Sequence, residues 1–517
     1  MGYDVTSGQT SSGISLSNDY MYVFSGGMAD TTTVNTDGSM YIEHGGTAIR
    51  TVVNESGSMA VAGVANKTVV NGGSGYWELG SMTILGGGVA SSNTVNSGGI
   101  VSVEKNGLAS ETVVNDCGSM HVYDGGMANA TTVNSGGSVH LDMNAAAGEV
   151  TVNGGGTLEI RSGGSAVAIR ENGGCVNVAD GANASFIANT FSGLILSNGI
   201  ATLHAGTMAE SAAVDGFGVL RVYADGTARS TTVNSGGNLY VSARGVANDT
   251  AVNEFGIMYI FGDGVANTAV VNSGGSAYVG KGGIMKDAIV NDCAGLYVSG
   301  SVSGTIVNGA DEWNYGELYI HAGGSANATT VNSYAWMSVD EGGAADEVTV
   351  NGRGCLFLSS GAAATAIREN GGYVDVADGA NVSFVENSFS GLELSDGSAT
   401  LHAGTTAESV TVKIGGVLYV CDGGKANGTE LTGSDRENCA EMYVYGGGRA
   451  NSTTVNCGGW IYVVGTAGST VVNSDGYLGI AGGGRHTGSL TIADGAVVSA
   501  YAGSVIDFDI STVAPGS

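Results

Sequence analysis

Two rows of side chains in this sequence have the types and spacing to do chemistry. Tyr240, Tyr259, Tyr278 and Tyr297 follow one another at intervals of 19 residues. Each is flanked on both sides by an aliphatic residue, so in an extended strand the rings point away from those neighbours. They should form an outward stripe at about 4.8 Å, the spacing of paired strands. Such a stripe can stack on sugar rings or on a second copy of itself, or it can simply stabilise a strand surface by cross-strand stacking. The second row is Thr33, Thr132, Thr232, Thr330 and Thr454, each two residues before an Asn. Its hydroxyls are available for O-glycosylation by a glycosyltransferase, although Thr also suits any β surface.

Catalytic patterns are sparse. His204 with Glu210 and Asp180 could serve polysaccharide cleavage on carboxylates. The same set returns as His402, Glu408 and Asp378. An active site is usually single whereas architecture is copied, so no enzyme activity and no catalytic residue is expected. There is no G-x-S-x-G elbow, H-E-x-x-H helix or phosphate-binding loop. Asp-Gly pairs such as Asp124-Gly125, Asp225-Gly226, Asp263-Gly264 and Asp422-Gly423 lack the periodic series of a calcium roll and read as turns. No metal and no cofactor is expected. The seven cysteines never form a C-x-x-C pair, which argues against zinc and against a disulfide framework. Most read as small residues standing in for Ser or Gly at turns. Cys439 and Cys457 are about one repeat apart, and a single disulfide between them stays open.

Composition narrows the classes further. The 517 residues include 91 glycines and one proline, with 43% hydrophobic content, so the chain is neither collagen-like nor plainly disordered. The net charge of −30 repels nucleic acid and anionic lipid surfaces. No apolar run approaches the roughly 18 residues needed to span a bilayer as a helix, and nothing predicts membrane insertion by this segment. The N-terminus does not read as a signal peptide.

The elements that must position these rows follow from the period. Asn residues after a Val recur at 35, 54, 71, 96, 115, 134 and 153, and again from 234 through 351, usually 19 apart. The exceptions are steps of 17 and of 24 or 25. Within a unit such as Thr231-Thr232-Val233-Asn234-Ser235-Gly236-Gly237-Asn238-Leu239-Tyr240-Val241 the apolar residues alternate, giving strands of three to five residues between glycine-rich turns. One such coil cannot bury a core, but identical coils stacked in parallel can, so the fold class is an all-β parallel β-helix, a solenoid of about 27 rungs. Val before the Asn, the aliphatic residues beside the Tyr and the Ala of Gly-Gly-x-Ala (Ala48, Ala128, Ala247, Ala266) should face inward. The Asn row, including Asn134, Asn153, Asn234, Asn253, Asn272 and Asn291, is expected to be a structural turn ladder with amides bonded along the axis. Residues 152–206 are duplicated at 350–404. The expected organisation is a start or cap over 1–20, one continuous repeat region over 21–498 and an end or tail over 499–517.

The 19-residue unit with Val-Asn-x-Gly-Gly phasing, seen from Thr231 to Ala247, resembles the AIDA-type repeat of passenger domains in self-associating autotransporter adhesins. The resemblance covers roughly residues 20–500. It implies a right-handed parallel β-helix on a bacterial surface or secreted, cell–cell aggregation and adhesion, and in some members heptose on Ser or Thr. The family's translocator barrel and export signal are not read in this chain. The leading expectation is an adhesin-like rod that binds itself and a host-cell or glycan receptor. The alternatives are a polysaccharide-active β-helix enzyme and a passive spacer that presents another domain.

Overall fold

A computed structural model describes residues 2–73, 75 and 78–507 and divides into two compact units, Met1–Thr250 and Ala251–Ser517. Met1 and residues 508–517, parts of the expected start and tail, lie outside the described residues. The described residues contain no helix; short parallel strands stack as a β-solenoid with about 19-residue spacing, about 26 turns in all.

One coil of the first unit shows why the sequence folds this way. The long strand Ser39–Ile42 buries Met40 and Ile42 and turns Ser39 and Tyr41 outward, as period two requires. A four-residue turn ending in Gly45-Gly46 leads to the middle strand Thr47–Ile49, whose Ala48 is buried. Arg50 then adopts a left-handed conformation, φ 54°, which bends the chain and directs Thr51 inward before the short strand Val52–Val53. Asn54 and a second turn through Ser56 and Gly57 return the chain to Ser58–Val61, directly over its starting strand in the register Ser39↔Ser58 and Met40↔Met59.

The inward positions are therefore an aliphatic pair, an Ala, a Thr and a Val. The inward Thr was not anticipated. Thr32, Thr51, Thr68, Thr131, Thr231, Thr250, Thr305, Thr329 and Thr453 are all at most 2% exposed, while the outward row sits one residue later. The alternation carries the signal: if Val233 faces in and Thr232 out, then Thr231 faces in.

Departures from 19 residues have local causes. In the step of 17 from Asn54 to Asn71, Ala62-Gly63 replaces the four-residue turn between long and middle strands. In the step of 24 from Asn308 to Asn332 the extra residues form a loop ahead of the long strand Glu317–Ile320.

The duplicated blocks are where each stack changes its pairing. In the first unit the sheet of ten long strands, beginning at Gly2–Val5, ends at Cys175–Val178. Asn183–Phe186 pairs back onto residues 165–169, whereas Asn189–Ser192 pairs forward onto Thr207–Glu210. In the second unit Asn381–Phe384 and Asn387–Ser390 do the same, and residues 387–507 continue as three parallel sheets of seven, six and six strands.

Parallel stacking brings one coil's backbone onto the next. A Cβ at Gly57 would lie 2.5 Å from the carbonyl oxygen of Val34 in the preceding coil. Gly57→Ala should therefore destabilise the first unit by about 1–3 kcal/mol. A lower urea midpoint with faster amide exchange around residues 34 and 57 would show it; an unchanged midpoint would refute the close-packing account.

Candidate functional site

The outward faces of the coils carry the rows with functional potential. Along the second unit Tyr259, Tyr278, Tyr297 and Tyr319 stack in order, with ring centroids 5.2, 4.9 and 5.5 Å apart and planes within 16°. His321 lies against Tyr297 and Tyr319 at 6.4 and 6.2 Å. Tyr278 is 37% exposed, and Tyr259 and Tyr297, which stack on its two faces, are half-buried. Tyr240 holds the same strand position in the first unit, in register with Arg221. Burial raises the phenol pKa of Tyr297, and burial together with the Glu317 carboxylate pushes that of Tyr319 up to about 12, so these two rings are uncharged in neutral solution.

Thr33, Thr132, Thr232, Thr330 and Thr454 all occupy outward, half-buried positions on or beside the short strand. The Asn positions are joined by hydrogen bonds between their side-chain amides. Asn134 Nδ2 donates to Asn115 Oδ1 at 2.8 Å, and Asn153 donates to Asn134 at 2.8 Å. In the second unit Asn272 donates to Asn253 and Asn291 to Asn272, at 2.9 and 3.1 Å. Asn234 donates to Asp215 at 2.6 Å.

The carboxylate that His204 meets is Glu171, which sequence reasoning did not single out. Glu171 occupies the inward position before Asn172 where other coils place Val, and it is fully buried. It accepts from Thr202 Oγ1 at 2.6 Å, from His204 N at 2.7 Å and from His204 Nδ1 at 2.8 Å. The duplicate repeats the set: Glu369 accepts from Thr400 Oγ1, His402 N and His402 Nδ1 at 2.7, 2.6 and 2.7 Å, and from Thr405 Oγ1 at 2.9 Å. His204 is sandwiched between Phe186 and Tyr223, with centroids 4.5 and 4.9 Å away. A buried carboxylate held by three or four donors is anchored, and both sets stand at the points where the sheets change pairing. Glu408, for its part, accepts from Asn427 Nδ2 at 2.8 Å. A signal for Glu171 was present: a charged residue interrupts a row of inward valines.

All seven cysteines are free, Cys439 and Cys457 included. Cys439 Sγ donates to Glu441 at 3.0 Å and Cys457 Sγ to the Ser434 carbonyl at 3.3 Å. Cys117 and Cys293 take the left-handed turn position, φ 54° in both, but Cys175 and Cys355 begin long strands. Among the described residues no group of three or more His, Cys, Asp or Glu is placed to hold a metal, and no helix is long and apolar enough to cross a membrane.

Fold and surface define the class: an all-β parallel β-solenoid whose outward positions are aromatic, hydroxyl and amide rows repeated coil after coil. No family model matches the sequence, and no curated protein is similar to it. Among solved structures the chain is similar to the TibC-catalysed hyper-glycosylated TibA fragment, with 30% identity, covering 63% of this chain and 99% of that one. The TM-score is 0.33, and the superposition carries no argument. An alginate lyase of the PL6 family, AlyGC, aligns over 98% of this chain and 96% of its own with 8% identity and a TM-score of 0.14, a likeness that carries no argument.

His402 yields a pH prediction. Burial alone would lower its pKa, but hydrogen bonds to the Cys421 sulfur and to Glu369, with their charge, outweigh burial and raise it to about 9 from 6.5. A folded-state pKa above the unfolded one stabilises fully below about pH 6.5, and that contribution is lost as pH rises through about 9. The thermal midpoint should accordingly fall between pH 6.5 and 9 more steeply for the native chain than for His402→Gln. Parallel pH curves would rule out the assignment.

Proposed function

We propose that the chain is an AIDA-type adhesin passenger that acts at the bacterial surface or after secretion, associating with copies of itself and adhering to cells. The observation that carries this reading is the stacked, outward Tyr259–Tyr278–Tyr297–Tyr319 ladder. A single aromatic contact is weak, worth about 0.5–1.5 kcal/mol beyond its buried area. Repeated over four successive coils, it becomes multivalent: two ladders laid side by side engage several rings at once, and avidity replaces any one strong contact. The net charge of −30 opposes such association at low ionic strength, so aggregation should strengthen as salt screens the repulsion.

The same reading makes the outward Ser and Thr positions acceptors for a glycosyltransferase, in keeping with the TibA fragment, whose hyper-glycosylation is catalysed by TibC. Thr33, Thr132, Thr232, Thr330 and Thr454 are the proposed row. Their half-buried hydroxyls would have to be reached from the solvent side of the short strand.

Sedimentation velocity over a range of concentrations, at low and at physiological salt, tests the ladder. The native chain should show concentration-dependent association that grows with salt. The variant Tyr259→Ser with Tyr278→Ser and Tyr297→Ser should need at least about tenfold more protein for the same association, at unchanged circular dichroism. If native chain and variant are equally monomeric, the ladder is not an association surface.

A further inference from the structure

Two loops in the second unit build the same device on different coils. The first is the insertion between Asn308 and the long strand Glu317–Ile320; the second lies between Thr432, which takes the Asn position, and the long strand Ala440–Val444. Each is fastened to the turn of the following coil, through Gly309 N to Ser333 O at 3.1 Å and Gly433 N to Cys457 O at 2.9 Å. Each is also stiffened from within by one Asp. Asp311 Oδ1 accepts from Trp313 N, Asn314 N and Asn314 Nδ2 at 2.9, 2.9 and 3.0 Å. Asp435 Oδ1 accepts from Glu437 N, Asn438 N and Asn438 Nδ2 at 2.9, 2.9 and 3.1 Å. These donors hold both carboxyls below the usual range, so they remain anionic.

Beside each loop lies a cleft on the long-strand face. The first has a volume of about 420 Å³ and is walled by Glu312, Tyr315, Tyr334, Trp336 and Phe357. The second, about 500 Å³, is walled by Asp435, Arg436, Trp460, Tyr477 and Tyr501. Volumes in this range, with aromatic walls and a few polar groups, are those of small-ligand sites. In the first cleft Trp336 stacks on Phe357 at 4.2 Å, Tyr315 stands 6.1 Å from the indole, and the buried Trp336 Nε1–H has no acceptor among the described protein atoms. Arg353 covers the Tyr334 ring at 5.2 Å and donates to the Ser395 carbonyl at 3.1 Å. In the second, Trp460 meets Tyr477 edge-on at 4.9 Å, and the Tyr477 and Tyr501 hydroxyls are 3.5 Å apart. Trp460 and Tyr501 remain 39% and 52% exposed.

We infer that these two clefts are binding sites for neutral oligosaccharides, each taking a di- or trisaccharide segment. Aromatic faces offer a surface to the C–H side of a pyranose ring, while carboxylates and a guanidinium supply partners for its hydroxyls. A chain of net charge −30 with acidic cleft rims disfavours anionic sugars. The ligand class rests on the adhesive reading; the sites themselves are distinct from the tyrosine ladder and can be tested apart from it.

The full chain, at a concentration where sedimentation shows monomer, is titrated with maltotriose, cellotriose, mannotriose and chitotriose, and with sialyllactose as the anionic probe. Tryptophan fluorescence and saturation-transfer NMR are the readouts. At least one neutral trisaccharide should bind with a Kd of about 0.1–10 mM, the range of a small, partly open site. Trp336→Ala combined with Trp460→Ala should weaken it at least tenfold. Because Trp336 also packs, Tyr315→Ala with Tyr501→Ala, at the cleft rims, should weaken binding several-fold without change in circular dichroism. The proposal is overturned if no neutral sugar binds, if both pairs of substitutions leave binding intact, or if sialyllactose binds more tightly than every neutral sugar. Self-association of the cleft variants is measured in parallel: native association with lost sugar binding, or the reverse, tells which of the two surfaces has failed.

Discussion

Within each sheet a strand lies in parallel register on its counterpart one coil earlier, so most residues stand on residues of the same position at the spacing of paired strands, about 4.8 Å. What this constraint permits is narrow. An inward position must accept a stack of like side chains, which selects Val, Ala and Thr as well as the aliphatic pair of the long strand. A turn must let two backbones nearly touch, which selects glycine at positions such as Gly46, where a Cβ would fall 2.4 Å from the Val23 carbonyl oxygen. An outward position must tolerate a neighbour of its own kind, which favours rings that stack and amides that both donate and accept. Rows of identical surface chemistry are thus a product of the fold, and multivalent contact follows from it.

Much of this was legible because the repeat exposes its own logic. Period-two alternation around Val233 and Tyr240 separates inward from outward residues, and the Val-Asn-Ser-Gly-Gly phrase marks the turn. Thr231 was readable by the same alternation. What the repeat could not reveal is chemistry assembled from residues far apart in the chain. The cleft at Trp336 joins side chains from Glu312 to Tyr419, more than five coil lengths of sequence apart, around a loop whose path depends on the anchoring of Gly309. The cysteine positions divided along the same line: Cys117 replaces a turn glycine, whereas Cys175 and Cys355 belong to strands.

Glu171 and Glu369 show how the stack tolerates its own interruption. Burying a carboxylate without partners costs several kcal/mol, and replacing it by Val would restore an ordinary coil. At both sites the next coil instead offers a hydroxyl, a backbone amide and an imidazole within hydrogen-bond distance. The side chain is thereby held where the sheets change their pairing. That both copies keep all of these donors is consistent with duplication of the whole joint as a unit.

The asparagine column has a direction. In the first unit every amide from Asn54 to Asn172 donates to the residue one coil earlier, and Asn35 donates to Ser15. The dipoles therefore align head to tail, much as peptide units do along a helix. Reversing one amide would set donor against donor on one side and acceptor against acceptor on the other, so the column can only turn as a whole. Its first member needs an acceptor and nothing more. Ser15 fills that place, and so does Asp215 beneath Asn234, where a carboxylate that cannot donate closes the line. Each column thus has a fixed polarity, and its two ends present different electrostatic faces to whatever meets them.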